Sequence, residues 1–279
     1  MNILLKDFSA SSIIEAIEIN AQQAWIYLAH GLGATIYEEP DVLWFFSGLP
    51  FHLANGIVSA SFPKEHSEEV LDERLRQLAA KQVPMAWLVG PSTRPVDLGS
   101  RLQSRGWVLG DVAPGMAVEL QILDESFSSP PSLTIEHMHN AESLRRWLRV
   151  MTVGSEIPEA GFALLLELVS RHGFTSDPSV HYYLGWLEDK PVATSLLFLG
   201  GGVAGIYNVA TLPDVRRQGI GSALTLAPLL QARTWGYGIG TLQSSPIGLH
   251  LYQRLGFQEY CTFQAYFWEM DADRSLEAL

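Results

Sequence analysis

Laying the chain on itself with an offset of 150 residues brings Ser59-Ala60-Ser61-Phe62-Pro63 onto Val209-Ala210-Thr211-Leu212-Pro213. The same offset holds far downstream, where Gly106 falls on Gly256, Trp107 on Phe257 and Glu119 on Glu269. Self-similarity over such a length indicates two copies of one fold in tandem; a coincidence of short matches is the alternative. With 279 residues and 47% hydrophobic content, the chain is long enough for two ordinary domains with cores of their own.

The periodicity of the two halves agrees. Val70, Leu71, Leu75 and Leu78 recur at helical spacing and predict a helix over 65–81. A strand at 85–89, a helix near 96–104 and strands around 107–112 and 116–123 follow. The second half repeats the order with a helix over 219–235, a strand at 239–244, a helix near 247–255 and strands from 257 to 270. Between them, residues 124–132 are polar, carry Pro130 and Pro131 and have no periodicity, which reads as a linker. The expected domains are therefore 1–123 and 133–279.

One junction in the second half carries chemistry. In Val215-Arg216-Arg217-Gln218-Gly219-Ile220-Gly221-Ser222-Ala223-Leu224 a strand meets a helix through two glycines spaced one apart. The first N–H groups of a helix have no intrahelical partner and point outward with the positive end of the helix dipole, and glycine lets an anion come close. Arg216 and Arg217 add positive charge. Two other phosphate loops are excluded. A dinucleotide fingerprint needs a glycine where Leu224 stands, and a Walker loop needs a Gly-Lys pair, whereas no lysine follows Lys190. By themselves these residues also fit a tight turn before an ordinary helix.

The segment resembles motif A of the GNAT superfamily of acyl-CoA-dependent N-acyltransferases, Arg/Gln-x-x-Gly-x-Gly/Ala, with Arg216, Gly219 and Gly221 in the three defining places. Residues 205–213 resemble the family's fourth strand, and Leu251-Tyr252-Gln253-Arg254-Leu255-Gly256-Phe257 its motif B. The resemblance covers 133–270 well and 1–123 weakly. It implies an α/β fold of two tandem GNAT-like domains, each a mixed, mostly antiparallel sheet flanked by helices. It also implies acetyl-CoA as cosubstrate. Backbone groups of Val209, Ala210 and Thr211 would hold the pantetheine arm. The amides of Arg217, Gln218, Gly219, Ile220, Gly221 and Ser222 would hold the pyrophosphate, helped by the side chains of Arg216 and Arg217. Ser245 stands where many relatives have a coenzyme-contacting asparagine, and Tyr252 where the family's tyrosine protonates the leaving thiolate.

The sequence departs from the family in three ways. The fourth and fifth strands offer Tyr207, Asn208, Gly240, Thr241 and Gln243 but no base, which leaves Glu156, Glu159, His181 and His250 as candidates, each also readable as a surface or structural residue. Pro228 lies inside the expected helix after motif A and should kink or shorten it past Leu224. At the offset of 150, the first half places His66, Ser67, Glu68, Glu69, Val70 and Leu71 on the loop and Leu102 on Tyr252, so the first copy reads as degenerate and non-catalytic. Arg145-Arg146-Trp147-Leu148-Arg149 fits either an acidic ligand or the wet face of a helix.

Composition narrows the partners. A net charge of −12 argues against nucleic acid and anionic membranes. Cys261 stands alone, so neither a disulfide framework nor a cysteine-rich metal site is expected. The start Met1-Asn2-Ile3-Leu4-Leu5 lacks the long apolar core of a signal peptide, and no apolar run reaches membrane-spanning length, so a cytoplasmic monomer or homodimer is expected. The expected activity is acetyl transfer from acetyl-CoA to a primary amine, on a small molecule or on a protein terminus or lysine. A non-catalytic acyl-CoA-binding or regulatory protein is the alternative.

Overall fold

The computed structural model describes residues 3–63, 65, 67–126, 128–138, 141–157, 159, 161–163, 165–166 and 177–269. In chain order the first half forms α1 (Ala10–Gly31), β1 (Thr35–Glu38), β2 (Val42–Phe46), β3 (Asn55–Ala60), α2 (Ser67–Ala79), β4 (Met85–Val89), α3 (Leu98–Gln103) and β5 (Val108–Glu119). The second forms β6 (Leu133–His137), α4 (Ala141–Gly154), β7 (Val180–Leu187), β8 (Lys190–Gly200), β9 (Val203–Thr211), α5 (Ile220–Thr234), β10 (Ile239–Gln243), α6 (Leu249–Arg254) and β11 (Gln258–Trp268). The series β1-β2-β3-α2-β4-α3-β5 recurs as β7-β8-β9-α5-β10-α6-β11, as the repeat requires. Equivalence extends to single bonds. Gly106 (φ +88°) and Gly256 (φ +91°) both take the left-handed conformation that glycine adopts without steric cost. Gly106 N–H donates to Gln103 at 3.2 Å, and Gly256 N–H donates to Gln253 at 3.1 Å.

The compact units do not follow sequence order. One comprises Met1–Ala24 and Pro114–Tyr260, the other Trp25–Ala113 and Cys261–Leu279. This differs from the division at 124–132 read from the sequence. The reason is that β5 and β11 each run from one unit into the other. Two strands were expected at 107–112 and 116–123, but the structure has one continuous strand to Glu119, followed by a 3-10 turn at Leu120–Ile122. The break does not occur because β10 pairs along this stretch. Gly115 faces Gln243 in the ladder, and Pro114 O accepts the Ser244 N–H at 3.0 Å. Likewise β11 is a single strand rather than several.

Each unit therefore takes its last strand from the opposite half of the sequence. In the first unit the order is β5-β10-β9-β8-β7-β6, antiparallel except for the parallel pair β9 and β10. Its core joins Met116, Val118 and Leu120 of the first half to Leu197, Ile206, Leu224, Leu229, Leu242 and Phe257 of the second. In the second unit the order is β1-β2-β3-β4-β11, with β3 and β4 parallel. There Tyr266 of β11 packs with Trp44, Trp87, Leu98 and Trp107. A Cβ on Gly99 would lie 2.1 Å from the Tyr266 hydroxyl, so only glycine admits that ring.

Helix α5 runs unbroken to Thr234 with Pro228 inside it, so the expected shortening does not occur. Proline removes one backbone donor, but Leu224, Leu226, Pro228, Leu229 and Ala232 are all buried. At about 1.5–3 kcal/mol for each fully buried aliphatic side chain, that packing outweighs the proline's cost of about 3 kcal/mol. Among the described residues no helix is long and apolar enough to cross a membrane, and no cluster of three His, Cys, Asp or Glu side chains could hold a metal ion.

Candidate active site

Strands β9 and β10 pair only at Ala204–Gly240 and Gly205–Thr241, and beyond those residues the ladder opens. On its other edge β9 is bulged. Tyr207 faces Leu196 and Ala210 faces Thr194, so Asn208 and Val209 together oppose Ser195. Asn208 adopts φ +50°, a conformation that asparagine tolerates better than most residues, and its carbonyl accepts the Thr194 hydroxyl at 2.9 Å. Val209, Ala210 and Thr211 thus lie on a strand segment freed on the β10 side and re-aimed by a bulge on the other.

The glycine loop follows. Gly219 caps α5 at φ +81°, and Arg217 stands at φ +67°. The Ala223 N–H donates to Gly219 O at 3.1 Å and opens the intrahelical ladder, so the N–H groups of Ile220, Gly221 and Ser222 have no intrahelical acceptor. Two left-handed residues before a helix start gather backbone N–H groups into a concavity suited to an anion. Arg217 and Gln218 are exposed there. Gly221 faces Leu251 and Thr211, at 3.3 and 3.8 Å from the position a Cβ would occupy. The Ser222 hydroxyl is buried and unpartnered among the described residues.

Arg216 braces the loop from the side. Its Nε donates to Thr211 O at 3.1 Å, its Nη2 to Gly154 O at 2.9 Å, and its Nη1 lies 3.2 Å from Glu156 Oε1. Gly154 ends α4, so the guanidinium sits at the negative end of that helix. A Cβ on Gly154 would meet Ala210 Cβ at 3.0 Å and Thr211 N at 3.1 Å, which is why the helix end comes so close to β9.

Tyr252 lies on α6 in the core cluster with Ile220, Leu224, Leu251 and Phe257, its ring edge-on to Phe257 at 5.8 Å. Burial pushes its phenol up to about 12, so it stays protonated at neutral pH. Ser245 is exposed, and its hydroxyl accepts the Gly248 N–H at 3.3 Å at the start of α6.

The four candidate bases are scattered. Glu156 pairs with Arg216, and Glu159 pairs with Arg149 at 2.5 Å. The His181 ring lies 4.6 Å from that of Trp235, tilted by 39°, and Trp235 is the C-cap of α5, about 22 Å of helix away from Gly219. His250 is exposed on α6. In the basic run Trp147 and Leu148 point inward, while Arg146 pairs with Glu142 and Arg149 with Glu159, which makes it the solvated face of α4.

The first copy's counterpart of the loop is filled by its own charges. Glu68 Oε1 and Oε2 lie 2.6 and 2.5 Å from Arg101 and Arg105, and Asp72 lies 2.6 Å from Arg105. Glu68, with Glu69 beside it, occupies the positive end of α2. His66 lies outside the described residues.

Fold and site together define a tandem α/β protein whose second copy carries a glycine loop at a helix start beside a split pair of parallel strands. Residues 178–259 match the family model described as an acetyltransferase (GNAT) domain, and over this stretch the chain carries a domain of that family. A GCN5-related N-acetyltransferase from Kribbella flavida superposes with a TM-score of 0.63 at 17% identity, over 88% of this chain and 95% of its own. A GCN5-related N-acetyltransferase from Sphaerobacter thermophilus gives 0.60 at 15%, over 82% and 80%. A tandem GNAT protein from the clavulanic acid biosynthesis pathway gives 0.56 at 12%, over 82% and 79%. At such identities the likeness is one of fold. No curated protein sequence matches the chain.

Asn20 has no counterpart in the sequence reading. It stands on α1, and its side chain reaches β8 and β9, 178 to 187 residues away. No periodicity or motif marks that approach.

Proposed function

We propose that the protein transfers an acetyl group from acetyl-CoA to a primary amine by direct attack, with the second copy catalytic. The observation that carries this reading is the adjacency of the split strands to the N–H concavity at the start of α5. The backbone amides of Arg217 to Ser222 would hold the pyrophosphate and those of Val209 to Thr211 the pantetheine arm, with Ser245 at the margin. Acetyl-CoA supplies an activated thioester carbonyl. The amine nitrogen bonds to that carbon, a backbone N–H of β9 stabilises the oxyanion, the C–S bond breaks as Tyr252 protonates the sulfur, and the proton shed by the amine passes to solvent, from which the Tyr252 phenolate regains its own. Holding amine and thioester in line supplies much of the acceleration, so no covalent enzyme intermediate is needed. The first copy, its helix start occupied by Glu68, is non-catalytic in this reading.

A second reading, a non-catalytic acyl-CoA-binding protein, draws on the side chains of β9 and β10 beside the opening. Tyr207, Thr241 and Gln243 include no carboxylate. Calorimetric titration with acetyl-CoA, followed by an amine screen for free thiol release, tests both. One site per chain with turnover supports the transferase. One site without turnover on any amine favours the binding protein, and two sites would overturn the degenerate first copy.

A further inference from the structure

Residues on the two faces of β9 have different company. Ala204 and Ile206 belong to the core under α5, together with Tyr252. Gly205 and Tyr207, alternating with them, face Asn20 of α1. A Cβ on Gly205 would lie 2.0 Å from Asn20 Oδ1, so glycine clears the space that Asn20 fills.

Asn20 leaves no freedom in the direction of its bonds. Its Nδ2 reaches three backbone carbonyls, Gly200 at 2.9 Å, Phe198 at 3.2 Å and Val203 at 3.5 Å. Turning the amide over would set its oxygen against three oxygens, so Oδ1 must face Tyr207. Oδ1 can only accept, and the Tyr207 hydroxyl therefore donates to it at 2.7 Å. With its proton committed, the Tyr207 oxygen is left with lone pairs only. Burial raises its pKa well above that of a free phenol, so the group stays neutral.

The place of this oxygen follows from the ladder. Gly205–Thr241 is the last pair between β9 and β10, and Tyr207 and Gln243 stand two residues further on at either side of the opening. Among the described residues Gln243 Nε2 and Thr241 Oγ1 are buried there without a formed hydrogen bond, although Gln243 lies close enough to the Tyr207 hydroxyl to oppose part of the rise in its pKa. Unfilled buried polar groups cost about 1–3 kcal/mol each, so a run of them calls for an explanation.

We propose that Tyr207, locked by Asn20 into an acceptor-only state, orients the acceptor amine at the β9–β10 opening by receiving one of its N–H groups, so that its lone pair is aimed at the thioester carbon. This rests on the acyl-transfer reading of the opening. Asn20 acts as a positioning residue through Tyr207. The amine approaches from the face of α1, while Tyr252 belongs to the core on the face of α5, so nucleophile and leaving sulfur are served from opposite sides of the sheet.

The test uses full-length protein labelled with 13Cζ-tyrosine, saturated with CoA and titrated in turn with ethanolamine, benzylamine and spermidine. The Tyr207 signal is assigned by its loss in Tyr207→Phe. Saturable movement of that signal with at least one amine is expected. In Asn20→Ala the half-saturating amine concentration should rise at least about fivefold, the worth of one hydrogen bond, while acetyl-CoA affinity stays within about twofold. Should Asn20→Ala not fold, Tyr207→Phe, which keeps the ring, must raise the amine KM by a similar factor without changing acetyl-CoA affinity. An unmoved Tyr207 signal with all three amines overturns the inference, as does an unchanged half-saturation or KM in the variants. Movement of the signal with no acetylated product would leave only an amine contact at Tyr207 and remove the transferase reading, and with it the orienting role; product formed with the signal unmoved would keep the transferase reading and overturn the inference alone.

Discussion

The backbone N–H of Phe257 donates to the carbonyl of Tyr252 at 3.0 Å, closing the turn beneath the candidate acid. At the same offset of 150, Trp107 donates to Leu102 at 3.1 Å. The two turns are one structure in duplicate, and only the second has a hydroxyl. Tyr252→Phe is therefore expected to lower kcat by about 10²–10⁴ while leaving acetyl-CoA affinity nearly unchanged, since the ring and its packing remain. Leu102→Tyr should create no second activity. Steady-state kinetics with calorimetry checks both.

Alkaline pH should destabilise the protein through its buried tyrosines. Tyr183 and Tyr252 both have their phenols pushed up to about 12 by burial, against an ordinary value of about 10. A group whose pKa is raised on folding contributes stability fully below its unfolded pKa and loses it as pH rises through the folded one. Stability attributable to these groups is thus complete below about pH 10 and declines between about 10 and 12. Urea titrations across that range should show a smaller loss in Tyr252→Phe than in the parent.

Gly221→Glu should abolish acetyl-CoA binding, by at least about a hundredfold, because a carboxylate placed at the start of α5 takes the position of the phosphates and repels them. The first copy already carries carboxylates at its own helix start, in Glu68 and Glu69. Gly221→Ala places its Cβ 3.3 Å from Leu251, a flexible neighbour, and should cost less than about tenfold. Calorimetric titration with acetyl-CoA separates the two.

Glu156 is held by Arg216. Glu156→Gln should accordingly retain turnover within about threefold and leave the pH profile in place, whereas loss of a general base typically costs about 10²–10⁴. A kcat/KM profile on any accepted amine decides it.

Residues 133–279 expressed alone should fail to fold. They lack β5, which pairs with β10, and with it Met116, Val118 and Leu120, each worth about 1.5–3 kcal/mol of buried surface. They also lack the Asn20 side chain that binds the turn between β8 and β9. Near-ultraviolet circular dichroism and solubility would report the failure, and a fragment with native spectra would contradict the strand exchange.

What was legible in the sequence was local. The helices at 65–81 and 219–235 appear as Ser67–Ala79 and Ile220–Thr234, and Met85–Val89 forms a strand over its expected span. Apolar side chains at helical or alternating spacing fold the same way wherever their neighbours lie. Motif A was legible too, since an N–H concavity needs only consecutive residues. Pro228 misled because a local helix penalty was set against packing that lies far away in the chain.

By itself, then, the sequence determined the helices and strands after 65 and after 205, their duplication and the glycine loop of the second copy, all consequences of short-range periodicity and backbone conformation. Only the tertiary structure decided that β5 completes the second copy's sheet and β11 the first copy's, because a strand's hydrogen bonds do not encode which edge will accept them. It alone decided that Arg216 braces α4 against β9, and that Asn20 turns Tyr207 into an acceptor. Those contacts depend on which backbone carbonyls surround an amide or a guanidinium, and that is known only once distant strands are in register.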